Sequence, residues 1–290
     1  MASFEFPALQ NTASEMSDES QRLYLWLIRI EYGLLFTAAV LSMGWSKNPN
    51  FFILCALVLL ASLAVMLSRQ YIKPEQAWYR GRALAESIKT SSWRYAMRAS
   101  PFGDWDPVSV PRAAFREHLT SILKTNSFIG DRMPSDSAAN DQISQSMQGV
   151  RQLSLEDRKA YYLEHRIRDQ REWYRAKSKA NRIASRRWVA IATIAYAVAI
   201  FLALLRIEYP LWELWPIEPI IVLASSFIGW TQIKKFNELA SSYILTAHEI
   251  GMIREKISDV VGEEDFSDFV NDAEQAFSRE HTQWVARHQA

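Results

Sequence analysis

Five histidines, one cysteine and nine glycines are the residues from which this 290-residue chain could build a metal site, a nucleophile or a phosphate-binding loop. The histidines, His118, His165, His248, His281 and His288, are scattered. They lack the His-Glu-x-x-His spacing that sets two ligands on one helical face. Cys55 stands alone inside an apolar run, so neither a disulfide nor a thiolate cluster can form within one chain. The glycines form no phosphate-cradling loop and no Gly-x-Ser-x-Gly elbow. The expectation is a protein without catalytic residues, cofactor or metal, and not an enzyme.

Cations are what the chain does supply at helical density. Tyr161 to Arg182 reads YYLEHRIRDQREWYRAKSKANR, and nine Lys and Arg fall between Arg166 and Arg187. Such a stretch neutralises phosphates along a nucleic-acid groove, or it marks the cytoplasmic end of a membrane-spanning helix. The residues that follow decide. Trp188 to Leu205, WVAIATIAYAVAIFLALL, is eighteen residues without a charge. That is about 27 Å of helix against a hydrocarbon core of about 30 Å. Phe51 to Leu67, FFILCALVLLASLAVML, is equally uncharged and lies too far from the N-terminus for a signal peptide. A core helix of a soluble domain shows a polar face over five turns, and neither run has one. The cationic stretch therefore reads as a membrane flank, with the lipid bilayer as partner and nucleic acid not expected.

Two further segments complete the set. Tyr24 to Trp45 is apolar apart from Arg29 and Glu31 and is joined to the Phe51 run by SKNPN, a run of turn-formers. After Leu205, the connection RIEYPLWELWP leads to a mostly apolar segment from Ile217 to Ile233. The chain is thus expected to be an all-α membrane protein, with four transmembrane helices as two helical hairpins and long cytoplasmic helical extensions. Arg29, Glu31 and Glu218 lie near segment ends, where long side chains reach water. The hairpin turns hold few cations and the flanks many, so both turns are predicted outside and both termini cytoplasmic. Trp26, Trp45, Trp188, Trp212, Trp215 and Trp230 fall near span ends, as an interfacial belt requires.

The net charge of +1 conceals an asymmetry. Ser68 to Arg187 holds 23 Lys and Arg against 13 Asp and Glu, a balance of +10, whereas Phe236 to Ala290 holds 4 against 11, a balance of −7. Both regions are predicted cytoplasmic. The acidic tail either restrains the basic helices or is an ordinary solvated surface. Within the basic region, EQAWYRGRALAESIKTSSWRYAMRAS is predicted as a helix prolonging the second span and stopping at Pro101, and PRAAFREHLTSILK as a short helix. NSFIGDRMPSDSAAND is predicted as a linker. SLED at Ser154 opens a long helix that runs into the third span. Phe266, Phe269, Val270, Ala273, Phe277 and Trp284 share one apolar face of a last helix that must pack on something.

Three segments in this order, WYRGRALAESIKTSSWRYAMRASPF, RIRDQREWYRAKSKANR and FVNDAEQAFSREHTQW, resemble the SLATT family, bacterial two-span domains associated with the nucleotide-signalling SMODS and SLOG proteins. The chain looks like two such modules in tandem, Met1–Leu153 and Ser154–Ala290. The resemblance implies an effector of an antiviral or conflict system in the bacterial inner membrane. A partner enzyme would make a nucleotide second messenger, and the membrane protein would respond by forming a pore. No catalytic residue comes with the family. The cations that would meet an anionic messenger are Arg82, Lys89, Arg94, Arg166, Arg171 and Arg175.

Three functional classes follow. An oligomeric pore or membrane-disrupting effector needs helices that approach closely. Ala195, Ala199 and Ala203 on one stripe, and Ser225 with Gly229, supply small residues for such contacts, within one bundle or in a homo-oligomer. A non-conducting scaffold would instead recruit a cytosolic partner through the last amphipathic helix. A peripheral nucleic-acid binder would need neither hairpin.

Overall fold

The computed structural model describes residues 4–46, 48–104, 109–126 and 141–289, with side chains through 278. All regular structure among these residues is helical. In chain order the α-helices are α1 (Ala8–Leu41), α2 (Pro49–Ile72), α3 (Pro74–Ala96), α4 (Ser109–Thr125), α5 (Gln145–Arg151), α6 (Leu155–Tyr162), α7 (Asp169–Glu208), α8 (Ile217–Lys234), α9 (Phe236–Glu255) and α10 (Glu263–Gln289). A π-helical segment, Leu163–Arg168, joins α6 to α7, and a 3-10 turn, Lys256–Asp259, follows α9. The expected linker lies almost wholly outside the described residues, as does the Trp284 side chain.

The helix starts follow from their capping residues. Asn48 accepts a hydrogen bond from the Asn50 N–H, and Pro49 occupies the first turn of α2, where its missing N–H costs nothing. Ser154 accepts from the Asp157 N–H and opens α6 as SLED predicts. The helix that begins there does reach the third apolar run, but through the π-helical segment. The expected prolongation of the second span into α3 is interrupted at one residue. Lys73 adopts the left-handed conformation, with φ 49°, and Pro74 starts α3 afresh. The second hairpin repeats the device: Lys235, with φ 46°, separates α8 from α9.

The chain forms two compact units. The first is built from 1–20, 75–176 and 242–290. One part of its core gathers Leu9 and Met16 from α1, Leu84 and Ile88 from α3, Phe115 from α4 and Met147 from α5. α1 and α3 approach closely at Gly81, where a Cβ would stand 3.2 Å from the Ala13 carbonyl oxygen, and the Ser17 hydroxyl donates to the Trp78 carbonyl at 3.1 Å. The face of α10 carrying Phe266, Phe269, Val270, Ala273 and Phe277 is buried, with Phe266 and Phe269 edge-on to Tyr162. Each of the Phe and Val side chains contributes about 1.5–3 kcal/mol when fully buried.

The second unit is 21–74 with 177–241. It exposes large apolar side chains along its helices, among them Phe52, Leu60, Ile194, Ile200, Phe201 and Leu204. Water does not tolerate continuous apolar surface of this kind, and lipid does. Three helices are long and apolar enough to cross a membrane: Ala8–Leu41, Pro49–Ala96 taken across Lys73, and Leu155–Glu208. α8 falls short of that standard, because Glu218, Pro219, Gln232 and Lys234 all lie within its eighteen residues. Within the unit, α1 meets α2 through Glu31 and Arg69 at 3.0 Å, and α8 through Arg29 over the Trp230 ring. Trp188 of α7 packs on Phe227 of α8.

Candidate functional site

The first unit holds a cleft of about 500 Å³. Helical spacing places its walls. On α3, Arg82, Glu86, Lys89 and Trp93 follow one another at intervals of three or four residues and so share one face. On the π segment and the start of α7, His165, Arg166, Asp169, Gln170 and Trp173 do the same. Phe4 and Phe6 close it from the N-terminal side. Phe4 stacks on Trp93, with ring centroids 4.1 Å apart and planes 7° from parallel.

The cations of this cleft differ in their state. Arg166 is 2 % exposed and forks onto Glu274 of α10, with Nε donating to Oε1 at 2.8 Å and Nη2 to Oε2 at 2.6 Å. The Tyr162 hydroxyl donates to the same Oε1 at 2.9 Å. Burial alone would lower the Arg166 pKa, but the Glu274 charge and hydrogen bonds outweigh it and the pKa is raised. The Tyr162 phenol is pushed well above its ordinary value, by burial first and by Glu274 second. Lys89 has a lowered pKa, through burial foremost, with Arg166 and Arg82 adding like charge and Glu86 and Glu274 opposing. Its Nζ lies 3.9 Å from Glu86 and 6.0 Å from the Phe6 ring centroid.

Of the six cations expected to meet an anion, Arg82, Lys89 and Arg166 are brought together here, and Arg94, Arg171 and Arg175 do not line the cleft. Arg94 and Arg171 each hold Nε buried without an acceptor. Arg171 lies against Gly251, and Arg175 is exposed. Phe4, Phe6, Trp93 and Trp173 are lining residues that sequence reasoning passed over, and so is Glu274 as partner of Arg166. Glu274 did leave a signal, since it interrupts the apolar face between Val270 and Phe277, where a charge must find a partner.

The acidic tail touches the basic helices at two buried arginines. Besides Arg166 with Glu274, the fully buried Arg158 donates to Glu263 and, at 2.8 Å, to the Met97 carbonyl.

The small residues of the second unit divide by exposure. Ala199 is buried and Ala195 half-buried, whereas Ala203 and Ser225 are exposed. A Cβ on Gly229 would collide with the Tyr32 hydroxyl of α1. A separate groove of about 500 Å³ in this unit is walled by Tyr32, Leu35, Ala38, Cys55, Val222 and Ser225, among others.

Long, lipid-compatible helices, together with a separate unit that holds a cationic, aromatic cleft, define an all-helical membrane protein. Two family models match in tandem: SMODS and SLOG-associating 2TM effector domain 3 over residues 7–159, and SMODS and SLOG-associating 2TM effector domain 1 over residues 162–284. The chain belongs to the SLATT family and carries two of its domains. No curated protein and no solved structure matches it.

Proposed function

We propose that the chain is an effector of a nucleotide-signalling defence system that permeabilises the bacterial inner membrane when its signal arrives. Four spans in two hairpins, one per SLATT module with the modules meeting near Leu153 and Ser154, place both termini and the first unit in the cytoplasm. A homo-oligomer lines the path. The continuity of α7 carries this reading, because one helix bears cleft residues at Asp169 and Trp173 and the uncharged run from Trp188 to Leu205. The tandem match to domains described as two-span effectors supports it. A scaffold that recruits a cytosolic partner draws less support, since the apolar face of α10 on which it would rely is buried within the first unit.

The test is membrane potential in bacteria that carry this chain alone or together with a nucleotide-synthesising partner. Cells with the chain alone keep their potential and grow. Cells with both lose it, as a potential-sensitive dye reports. An intact potential in the presence of both, with the chain inserted at normal abundance, would favour the non-conducting scaffold.

A further inference from the structure

Lys89 is held in the cleft only by a long ion pair to Glu86. Arg158 and Arg166 each find carboxylate or carbonyl acceptors. The Lys89 ammonium makes no hydrogen bond among the described residues, and its nearest carboxylate oxygen, on Glu86, stands at 3.9 Å. Its stem is nonetheless held beside Phe6, on the face of α3 that lines the cleft. An ammonium has three donors, and Glu86 at that distance takes none of them at hydrogen-bonding length, so they stay open to water or to the oxygens of a ligand. On the opposite wall, Trp173 is 39 % exposed despite its size. Its ring rests edge-on against Tyr174 and Tyr243, which fix its orientation while leaving part of its surface open.

We propose that this cleft binds a nucleotide, with Lys89 and Arg82 taking the phosphate and the open surface of Trp173 stacking the base. The proposal rests on the reading of the chain as a responder to a nucleotide signal, and it says where the signal docks. The volume of about 500 Å³ falls within the range of about 300–1,000 Å³ typical of small-ligand sites. Arg166 is not a third phosphate ligand, because Glu274 already occupies its fork and neutralises its charge. A lipid headgroup carries the same phosphate chemistry, but it brings no planar ring for the aromatic wall, where stacking stabilises a bound base.

Full-length protein purified in detergent tests this by equilibrium dialysis against labelled ATP, GTP, cyclic di-AMP and cyclic di-GMP. At least one probe binds the wild type. Lys89→Met, which keeps the stem, and Trp173→Ala, at an exposed position, each weaken it about tenfold or more, whereas Lys89→Arg restores most of the loss. Failure of all four probes to bind at millimolar concentration overturns the proposal. So does equal binding by Lys89→Met and Trp173→Ala, which would put the signal site elsewhere and leave the effector reading standing. Displacement of the bound probe by phosphatidylglycerol vesicles but not by unlabelled nucleotide assigns the phosphate to lipid and also overturns it. Binding that obeys the variants without any loss of membrane potential in cells keeps the cleft and removes the effector reading.

Discussion

Arg166, Glu274 and Tyr162 form a buried polar cluster in which every member depends on the others. Breaking such a pair from one side strands a charge, at a cost of about 3–5 kcal/mol, whereas replacing both members with apolar groups of similar size is often tolerated. Glu274→Ala is therefore expected to lower the thermal midpoint sharply, and the double change Arg166→Met with Glu274→Leu to recover most of it. Equal losses in the single and double variants would show that the cluster contributes little beyond packing. Lys89 makes a different prediction. Its folded pKa lies below the ordinary 10.5, so between those two values the unfolded chain binds more protons than the folded one, and stability rises with pH through that window. Burial sets this shift first, and the charges that face the ammonium are Arg82 and Glu86 on α3, Arg166 on the π segment and Glu274 on α10. Lys89→Met removes that alkaline gain, as unfolding followed from neutral pH up to about 10.5 would register. Arg82, Lys89 and Arg166 could be singled out from the sequence as cations on helices. Their separation from Arg94, Arg171 and Arg175 could not, because it depends on which faces of two distant helices meet.

The helices were the most legible level, for a simple reason. Runs such as Phe51 to Leu67 have only one stable backbone arrangement in lipid, since every peptide group must be satisfied within the segment. Ser154 and Asn48 announce their helix starts through local hydrogen bonds that need no partner from elsewhere. The breaks at Lys73 and Lys235 were less plain. Pro74 does disfavour a helical residue before it, but the sequence IKKFNE carries no comparable signal at Lys235. A side chain in the left-handed region carries a steric cost of about 1–2 kcal/mol that glycine avoids. Glycine gives part of this back through the entropy of the unfolded chain. Lys235→Gly should thus raise the unfolding midpoint by an amount equivalent to about 0.5 kcal/mol or more, and Lys235→Val should lower it. A lower midpoint for the glycine variant would mean that the lysine charge matters more at this position than its backbone. The π segment had no sequence signature at all. Its residues LEHRIR suit an ordinary helix, and the widened turn coincides with the Arg166 that must reach Glu274.

Across the whole molecule, the loop charges predict a topology that site-specific labelling can test. A cysteine at Asn48 or Leu214, in a background with Cys55 replaced by Ser, should react with an impermeant maleimide added to intact cells. One at Ser137 should react only after lysis. Labelling of Ser137→Cys from outside, with none at the turns, would invert the arrangement. The sequence led naturally to two modules end to end. What it hid is that each compact unit draws on both, with the Ser100 N–H donating to the Ser267 hydroxyl and Arg158 to the Met97 carbonyl in the first. No local pattern reports a pairing that far apart. That interleaving also bears on the order in which the chain is made. Arg158 and Arg166 leave the ribosome 105 and 108 residues ahead of Glu263 and Glu274, their partners. At about 5–20 residues per second this is a wait of roughly 5–20 s. During that wait the second hairpin is synthesised and α10 does not yet exist. The first unit can close around its cleft only on a chain whose apolar hairpins have both already been delivered, so a ligand has no finished site to find until then.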